Sequence, residues 1–158
     1  YLFRFPKEML HVQMHRESLV HSFIELHSGE LIIDYGKPDM HGPIEYAMLE
    51  GKSEFNVINT HSLNSLKDCS FYEYDKRRYP LTSLALECLL MGESKLVALN
   101  ASNEKAVQLF LEGKINYLDI NKFVTKVVEE TKDIKNPSLE EIILIHNQSL
   151  EKVERMVG

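Results

Sequence analysis

The chain lacks the short motifs by which phosphate loops, nucleophile turns and many metal sites are recognised. It contains no G-x-G-x-x-G or Walker loop, no G-x-S-x-G turn and no H-E-x-x-H pair. Its two cysteines, Cys69 and Cys88, form no C-x-x-C pair, which favours free thiols in a reducing compartment. The sequence therefore offers no phosphate cradle of its own, and we predict no metal site within it.

Clustered positive charge and long apolar runs are also absent. No run of like charges exceeds Lys76–Arg78, and the net charge of −6 is unsuited to a surface that binds nucleic-acid phosphates. No apolar stretch approaches the roughly eighteen residues that a membrane span needs. We expect neither a nucleic-acid partner nor a membrane partner. The 44% apolar and 27% charged residues are typical of a globular protein with an ordinary core.

The first part of the chain has the pattern of strands. Apolar and polar residues alternate over Leu10–His15, and two further apolar runs, Ser22–His27 and Leu31–Ile33, flank the turn signal Ser28–Gly29. These runs predict three or four strands in a mostly antiparallel sheet. A short helix is predicted over Ile44–Leu49, after the proline-containing loop.

The second part has helical periodicity. A helix is predicted to begin at Tyr79–Pro80 and to stop at Gly92, and a second apolar stripe covers Ala106–Leu111. A third helix is predicted after Asp119 as N-cap, and a fourth after the capping box of Ser138 and Glu141. The fourth helix is predicted to present one apolar side, made of Leu139, Ile142, Ile143, His146, Leu150, Val153 and Val157. The predicted fold class is α+β, with a small antiparallel sheet followed by a C-terminal four-helix bundle.

Glu50–Tyr74 has little periodicity, and we interpret it as the boundary between two domains, residues 1–74 and 75–158. The first residues, Tyr1–Pro6, begin in the middle of a pattern without an initiator methionine. We expect a piece of a longer protein.

Residue types alone leave the candidate chemistry open. His15, Ser18, His21 and Ser22 could be part of a hydrolytic site, and His15, His21 and His27 could bind a metal. Ordinary hydrogen bonding accounts for these residues more simply. His146 is interpreted as a satisfied histidine at the edge of a core. We also expect structural roles for Asn100, Asn103 and Glu104, in a segment that leads into a helix.

Five segments, in order, carry a family resemblance. His15–Ser22 is close to H-P-Q-S-x-x-H-S, and Pro38–Ile44 is close to P-D-M-R-x-P-I. Arg78–Ala85 resembles R-[FY]-P-x-L-x-L-A, Leu99–Val107 resembles L-N-A-A-N-E-x-A-V, and Phe110–Ile120 resembles F-L-x-x-x-I-x-F-x-D-I. The chain thus resembles the C-terminal part of the 1-deoxy-D-xylulose 5-phosphate reductoisomerase family. It departs at Arg16, His41 and Ser102, where the pattern has proline, arginine and alanine.

The resemblance implies an enzyme that converts the phosphosugar 1-deoxy-D-xylulose 5-phosphate to 2-C-methyl-D-erythritol 4-phosphate, in the non-mevalonate isoprenoid pathway. It implies NADPH and Mg²⁺ or Mn²⁺ as cofactors, a homodimer, and a location in the bacterial cytoplasm or a plastid-type organelle. Residues 1–74 would be the end of the catalytic α/β domain, and 75–158 its C-terminal helical domain. His21 would be catalytic, and Ser18, Pro38 and Met40 would line the active site.

The family's dinucleotide-binding domain, its acidic metal ligands and its phosphate-binding segment precede the region that this chain resembles. We therefore expect the chain alone to bind neither cofactor and to be inactive without the N-terminal part of the same enzyme. The alternative is a non-catalytic module, derived from that enzyme, that serves dimerisation or binding through a sheet edge and the helix bundle.

Overall fold

The computed structural model describes residues 5–36, 39–50 and 69–157, apart from the side chains at positions 42 and 43. Several predicted features lie outside these residues: the chain start at Tyr1–Arg4, the loop residue Pro38, and positions 51–68 of the predicted boundary. The chain divides into two compact units, Val12–Tyr74 in one and Asp75–Gly158 with Tyr1–His11 in the other. Each unit is described by itself below.

The described part of the Val12–Tyr74 unit holds four strands, β1 (Gln13–Met14), β2 (Val20–Glu25), β3 (Leu31–Tyr35) and β4 (Tyr72–Glu73). The antiparallel pairing predicted from the sequence is confirmed, because β1 pairs with β4 and β2 with β3 in antiparallel register. The prediction of one sheet of three or four strands is wrong for the described residues, since the strands form two separate pairs. The strand predicted over Leu10–His15 is only the two residues of β1, and its partner strand β4 lies far along the chain.

The β2–β3 hairpin turns at Ser28–Gly29, as the sequence predicted. Gly29 N donates to Leu26 O at 2.8 Å, and Leu26 N donates to Glu30 O at 2.9 Å, which closes a three-residue loop. Gly29 has φ of +85°, a left-handed conformation that glycine adopts without a Cβ penalty. The turn therefore fixes the register in which Phe23 faces Ile33.

The helix predicted over Ile44–Leu49 begins three residues earlier, as α1 (His41–Met48). Asp39 explains the difference, because its carboxylate accepts a hydrogen bond from the backbone N of His41 at 3.0 Å and so satisfies one of the free N–H groups of the first turn.

The other unit contains the short 3₁₀ helix Lys7–Met9 and four helices, α2 (Pro80–Cys88), α3 (Glu93–Leu111), α4 (Tyr117–Glu130) and α5 (Leu139–Arg155). The predicted α+β class with a C-terminal four-helix bundle is confirmed. Helix α3 is central, because it packs against both α4 and α5 and also contacts α2. Proline at the start of α2 agrees with the predicted helix start at Tyr79–Pro80. No helix among the described residues is long and apolar enough to cross a membrane.

Helix α3 is much longer than the apolar stripe Ala106–Leu111 predicted. It begins at Glu93, directly after Gly92, which is its N-cap rather than only the end of the preceding helix. Several buried residues that the periodicity missed are small, namely Ala98, Ala101 and Ser102. Small side chains on a central helix allow its neighbours to approach closely, so burial here does not need large apolar residues.

The starts of the last two helices differ in how well they were predicted. The capping box of Ser138 and Glu141 is confirmed, since Glu141 N donates to Ser138 Oγ at 3.2 Å and Ser138 N donates to Glu141 Oε2 at 2.8 Å. The prediction of Asp119 as N-cap is wrong. The N-cap is Asn116, and Asp119 instead accepts from Asn116 N at 3.0 Å from the third helical position.

The buried face of α5 agrees with the predicted one only in part. Val153 is buried as predicted, but Ile145 and Ser149 are buried as well, and Leu139 and Ile143 of the predicted face are 67% and 52% exposed. The core of the bundle consists of Cys88, Ala98, Ala106, Leu109, Ile120, Phe123, Val124, Val127, Val128, Ile145 and Val153. Both cysteines are free thiols, as predicted, and burial raises the pKa of Cys88.

Candidate functional site

The most elaborate polar arrangement in the described part of the Val12–Tyr74 unit surrounds His15, directly after β1. The antiparallel pairing of β1 with β4 brings Ser70 and Phe71 next to it. The His15 ring stacks on Phe71 with 4.7 Å between ring centroids, and its Nδ1 lies 3.0 Å from Ser70 O. The side chain is only 6% exposed, so its polar atoms depend on protein partners or a ligand.

Glu17 completes this arrangement. Its Oε2 lies 3.0 Å from His15 Nδ1, and its Oε1 accepts from Ser70 Oγ at 2.7 Å. Ser70 N also donates to Oε2, at 3.3 Å. The hydrogen bond from the Ser70 hydroxyl is the main cause that lowers the pKa of Glu17, so the carboxylate is charged over a wide pH range.

The predicted site residues Ser18 and His21 follow this cluster. Ser18 is exposed and has φ of +51°, which is uncommon for a residue with a side chain and marks a tight turn before β2. His21 lies on β2, is exposed, and its Nε2 is 3.2 Å from Gly36 O. Gly36 N also donates to Leu19 O at 2.8 Å, which joins the segment of Ser18 and His21 to the beginning of the 36–40 loop.

That loop carries the other predicted site residues. Met40 is 66% exposed immediately before α1, and Pro38 lies outside the described residues. Next to Met40, the His41 ring is 2.5 Å from Asp39 Oδ1. The hydrogen bond and charge of Asp39 raise the pKa of His41. A histidine therefore carries positive charge here more readily than usual, at the position where the family pattern has arginine.

The metal interpretation of His15, His21 and His27 has no geometric support in the described part of the chain. Within it, no group of three or more histidine, cysteine, aspartate or glutamate side chains could hold a metal ion. The described side chains therefore do not form a ligand set for a divalent cation.

The Leu99–Val107 motif lies in the interior of α3, so the predicted position of Asn100, Asn103 and Glu104 at the approach to a helix is wrong. Asn100 is exposed, and it lines a groove of about 460 Å³ between α3 and α5 together with Leu96, Val97, Ile142, Ile143 and His146. Ser102, which stands where the pattern has alanine, is buried. Its hydroxyl donates to Ala98 O at 2.6 Å, and this bond satisfies the additional polar group.

Sequence reasoning missed the partnership of His15, Glu17 and Ser70. His15 was considered with other residues for a hydrolytic or a metal site and was then interpreted as an ordinary hydrogen-bonding histidine. Ser70 lies 53 residues after Glu17 in the chain. The proximity of His15 to Glu17 was the one local signal. The contribution of Ser70 depends on the β1–β4 pairing, which no local pattern indicated.

The fold defines an α+β protein with paired antiparallel strands followed by a helical bundle. The family model described as the DXP reductoisomerase C-terminal domain matches residues 35–152. The chain belongs to this family, which confirms the resemblance found in the five motifs.

Relatives support the same assignment. The chain is 37% identical over 158 residues to 1-deoxy-D-xylulose 5-phosphate reductoisomerase of Lysinibacillus sphaericus, and this match covers 99% of the chain and 41% of the relative. It is 34% identical to the enzyme of the same name from Desulforamulus reducens, with the same two coverages. The chain thus spans about two fifths of the length of these curated relatives.

Solved structures agree in fold. The reductoisomerase of Zymomonas mobilis in complex with NADPH has a TM-score of 0.86 and 30% identity, covering 99% of this chain and 42% of that one. A DOX-P reductoisomerase in complex with NADPH, fosmidomycin and magnesium has a TM-score of 0.80 and 25% identity, covering 92% of this chain and 38% of that one.

Proposed function

We propose that the chain is the C-terminal part of an NADPH- and divalent-metal-dependent enzyme that converts 1-deoxy-D-xylulose 5-phosphate to 2-C-methyl-D-erythritol 4-phosphate. The observation that carries this proposal is the 37% identity along 99% of the chain to an enzyme of that name. The bacterial origin of the relatives favours the bacterial cytoplasm over a plastid-type organelle as its location.

In this proposal residues 1–74 are the end of the catalytic domain, and residues 75–158 are the helical domain that supports it. The division of the chain between Tyr74 and Asp75 supports the boundary at residue 74, whereas Tyr1–His11 group with the helical unit. Ser18 and His21 border the active site, with His21 as the catalytic candidate, and Pro38 and Met40 line it. The hydrogen bond between His21 and Gly36 supports a common location for these segments. The polarizable, exposed side chain of Met40 suits an active-site wall that contacts a flat ring such as nicotinamide.

The cofactors are proposed to be held by the N-terminal part of the enzyme. Two related structures contain NADPH, and one of these also contains magnesium. When bound, a divalent metal polarises substrate oxygens as a Lewis acid, and NADPH supplies hydride. Because the described residues of this chain offer no set of metal ligands, we propose that the chain contributes the substrate-facing wall and no metal ligand.

A non-catalytic dimerisation or binding module remains the second candidate. The β2–β3 hairpin favours it, because large apolar side chains of both strands are exposed, among them Ile24 at 59% and Ile32 at 56%. Exposed apolar strand residues are typical of a surface that pairs with another element or another copy. A homodimer is proposed under either candidate.

Two preparations test the proposal, the 158-residue chain and the complete polypeptide that contains it. Consumption of NADPH is followed spectroscopically with 1-deoxy-D-xylulose 5-phosphate and Mg²⁺, and light scattering gives the mass of each preparation. We expect turnover and a dimeric mass for the complete polypeptide, and no turnover for the chain alone. Turnover by the chain alone would contradict the assignment of both cofactor sites to the missing part. A complete polypeptide without turnover, but with a dimeric mass, would favour the module.

A further inference from the structure

One side of α3 carries polar side chains that the helical bundle does not use. Asn100, Asn103 and Glu104 are three and four positions apart, so they lie together on one side of the helix. Asn100 and Glu104 are exposed, and Asn103 is half-buried. Among the residues that the structure describes, none of these three side chains has a hydrogen-bond or ion-pair partner. They therefore make no polar contact that holds the bundle together.

The same three residues match specified positions of the motif L-N-A-A-N-E-x-A-V, which Leu99–Val107 resembles. The alanines of the motif, Ala101 and Ala106, are buried, and close packing of the helices accounts for them. Asparagine is a poor residue for a helix interior unless its amide has a partner, because the side chain competes for backbone hydrogen bonds. Packing of the bundle thus explains the alanines and leaves the two amides and the carboxylate without a role.

An apolar groove of about 460 Å³ borders these polar residues. It is lined by Leu96, Val97 and Asn100 of α3 and by Ile142, Ile143 and His146 of α5. Ile143 is 52% exposed, and Leu139 at the start of α5 is 67% exposed. An apolar centre beside hydrogen-bonding side chains is the usual composition of a protein–protein interface. We call the groove, together with Asn100, Asn103 and Glu104, the α3–α5 face.

The length of the related enzymes indicates what covers this face. The chain spans 41% of one such relative, and the family model that it matches is a C-terminal domain, so a longer N-terminal part precedes the matched region. An occupant in the same polypeptide is present at high effective concentration and needs less contact area than a separate partner. Each asparagine amide both donates and accepts, which suits the N–H and C=O groups of a loop. A second copy has another candidate surface, the exposed strands of the β2–β3 hairpin.

We propose that the α3–α5 face binds a segment of the N-terminal part of the same polypeptide. Asn100 and Asn103 form hydrogen bonds with backbone groups of that segment, and one of its apolar side chains fills the groove. Glu104 accepts from an N–H group or a cation of the segment, because a carboxylate can only accept. This inference deepens the proposed function and rests on one part of it, that an N-terminal part completes the chain.

Thiol labelling of the complete polypeptide measures whether the face is covered. Asn100→Cys places a thiol in the face, and Lys126→Cys places one at an exposed position of α4. Each protein reacts with iodoacetamide under native conditions, and mass spectrometry quantifies the modified peptide, which separates it from Cys69 and Cys88. We expect Asn100→Cys to react at least about tenfold more slowly than Lys126→Cys, because a covered thiol reacts only when the contact opens. Equal rates would overturn the proposal.

Photo-crosslinking identifies the occupant. Ile143 is replaced by a photoreactive diazirine amino acid in the complete polypeptide, and the cross-linked peptides are sequenced by mass spectrometry. We expect a link to a peptide that precedes Tyr1, within one subunit. Mixing of nitrogen-14 and nitrogen-15 protein before irradiation distinguishes such a link from one between subunits. A link to a second copy, or no specific link, would contradict the proposal.

Replacement of the amides gives a readout with a definite sign. On a free helix face, Asn100→Ala and Asn103→Ala would raise the midpoint of thermal unfolding, because alanine is the better helix former. In the proposed contact both substitutions remove hydrogen bonds, so we expect the midpoint of the complete polypeptide to fall. Gln148→Ala, at an exposed amide of α5 outside the face, is the matched control and should leave the midpoint unchanged or slightly higher. A higher midpoint in both asparagine variants would show that the face is free.

The outcomes separate this inference from the proposed reaction. If the parent polypeptide turns over 1-deoxy-D-xylulose 5-phosphate but Asn100→Cys is labelled as fast as Lys126→Cys, the inference is wrong and the proposed reaction stands. If the parent shows no turnover while position 143 cross-links to the preceding segment, the proposed reaction fails and the docking surface stands.

Discussion

The ammonium group of Lys95, in the first turn of α3, donates a hydrogen bond to the backbone O of Val128, 2.7 Å away in the last turn of α4. It also lies 3.4 Å from Glu129 O, and the residue is only 9% exposed. The last carbonyl groups of a helix have no partner within the helix, and a cation there complements the helix dipole. One lysine of α3 therefore completes the end of α4.

Replacement of this lysine by methionine tests the energetic value of the contact. Lys95→Met keeps most of the apolar stem but leaves the Val128 carbonyl without its charged donor, so we expect a loss of about 1–3 kcal/mol in the free energy of unfolding. Urea denaturation followed by circular dichroism measures it. Lys126→Met, at an exposed lysine of α4, is the control and should change stability by less than about 0.5 kcal/mol. Equal effects of both substitutions would show that the contact of Lys95 with Val128 adds nothing to the free energy of unfolding.

Gly92 gives a second prediction, based on space rather than charge. Its backbone conformation, φ −75° and ψ 153°, suits any residue, but a Cβ atom there would overlap the Ile134 carbonyl and the Asp133 carboxylate. Gly92 N also donates to Asp133 Oδ1. Gly92→Ala should therefore cost about 1–3 kcal/mol, because the loop after α4 must move away from the start of α3.

The matched control is Gly36→Ala, where a Cβ would meet no atom within 4 Å. Alanine there should leave the free energy of unfolding unchanged or raise it by up to about 1 kcal/mol, since it restricts the unfolded chain. Thermal and urea unfolding of both variants give the comparison. A Gly92→Ala variant as stable as the parent would mean that the loop adapts freely.

Local chemistry could be predicted from the sequence where it depends on neighbouring residues. The capping box of Ser138 and Glu141 needs residues three positions apart, and the hairpin turn at Gly29 needs a glycine between two apolar runs. Both were predicted correctly. The α+β class followed from the change from period two to helical periodicity along the chain.

Features set by tertiary packing could not be predicted in this way. On α5 two overlapping apolar stripes compete, and packing against α3 selects the one with Ile145 and Val153. Helix α3 showed little periodicity because most of its buried positions are alanine and serine. The His15–Ser70 contact joins residues 55 positions apart, so the sequence around either residue contains no sign of the other.

The capping box itself gives a third prediction. Ser138→Ala removes the acceptor for Glu141 N and should lower the free energy of unfolding by about 1 kcal/mol. Ser138→Asp retains an acceptor and places negative charge at the helix N-terminus, so it should recover most of the loss. Denaturant unfolding of the three proteins measures both steps. If Asp and Ala behave alike, the Ser138 hydroxyl contributes little to α5.

The pairing of Asp39 with His41 gives a prediction about pH. The Asp39 carboxylate raises the pKa of His41, so the folded form holds its proton more tightly than the unfolded form does. The interaction therefore stabilises the fold at pH below the unfolded value of about 6.5, and this stabilisation is lost as pH rises through the higher folded value. Asp39→Asn isolates the charge, because an asparagine oxygen can still accept from His41 N.

Proton NMR of the histidine rings measures this effect directly. The His41 titration should move to lower pH in Asp39→Asn, and the variant should lose stability relative to the parent in acid but not at pH above the His41 titration. His27, exposed in the hairpin turn, is the internal reference for the spectrum. Both side chains of the pair are largely exposed, at 90% for His41 and 59% for Asp39, so salt should weaken the effect. An unchanged His41 titration in Asp39→Asn would show that the two side chains do not interact in solution, and the positive charge at the arginine position of the family pattern would then have no support from Asp39.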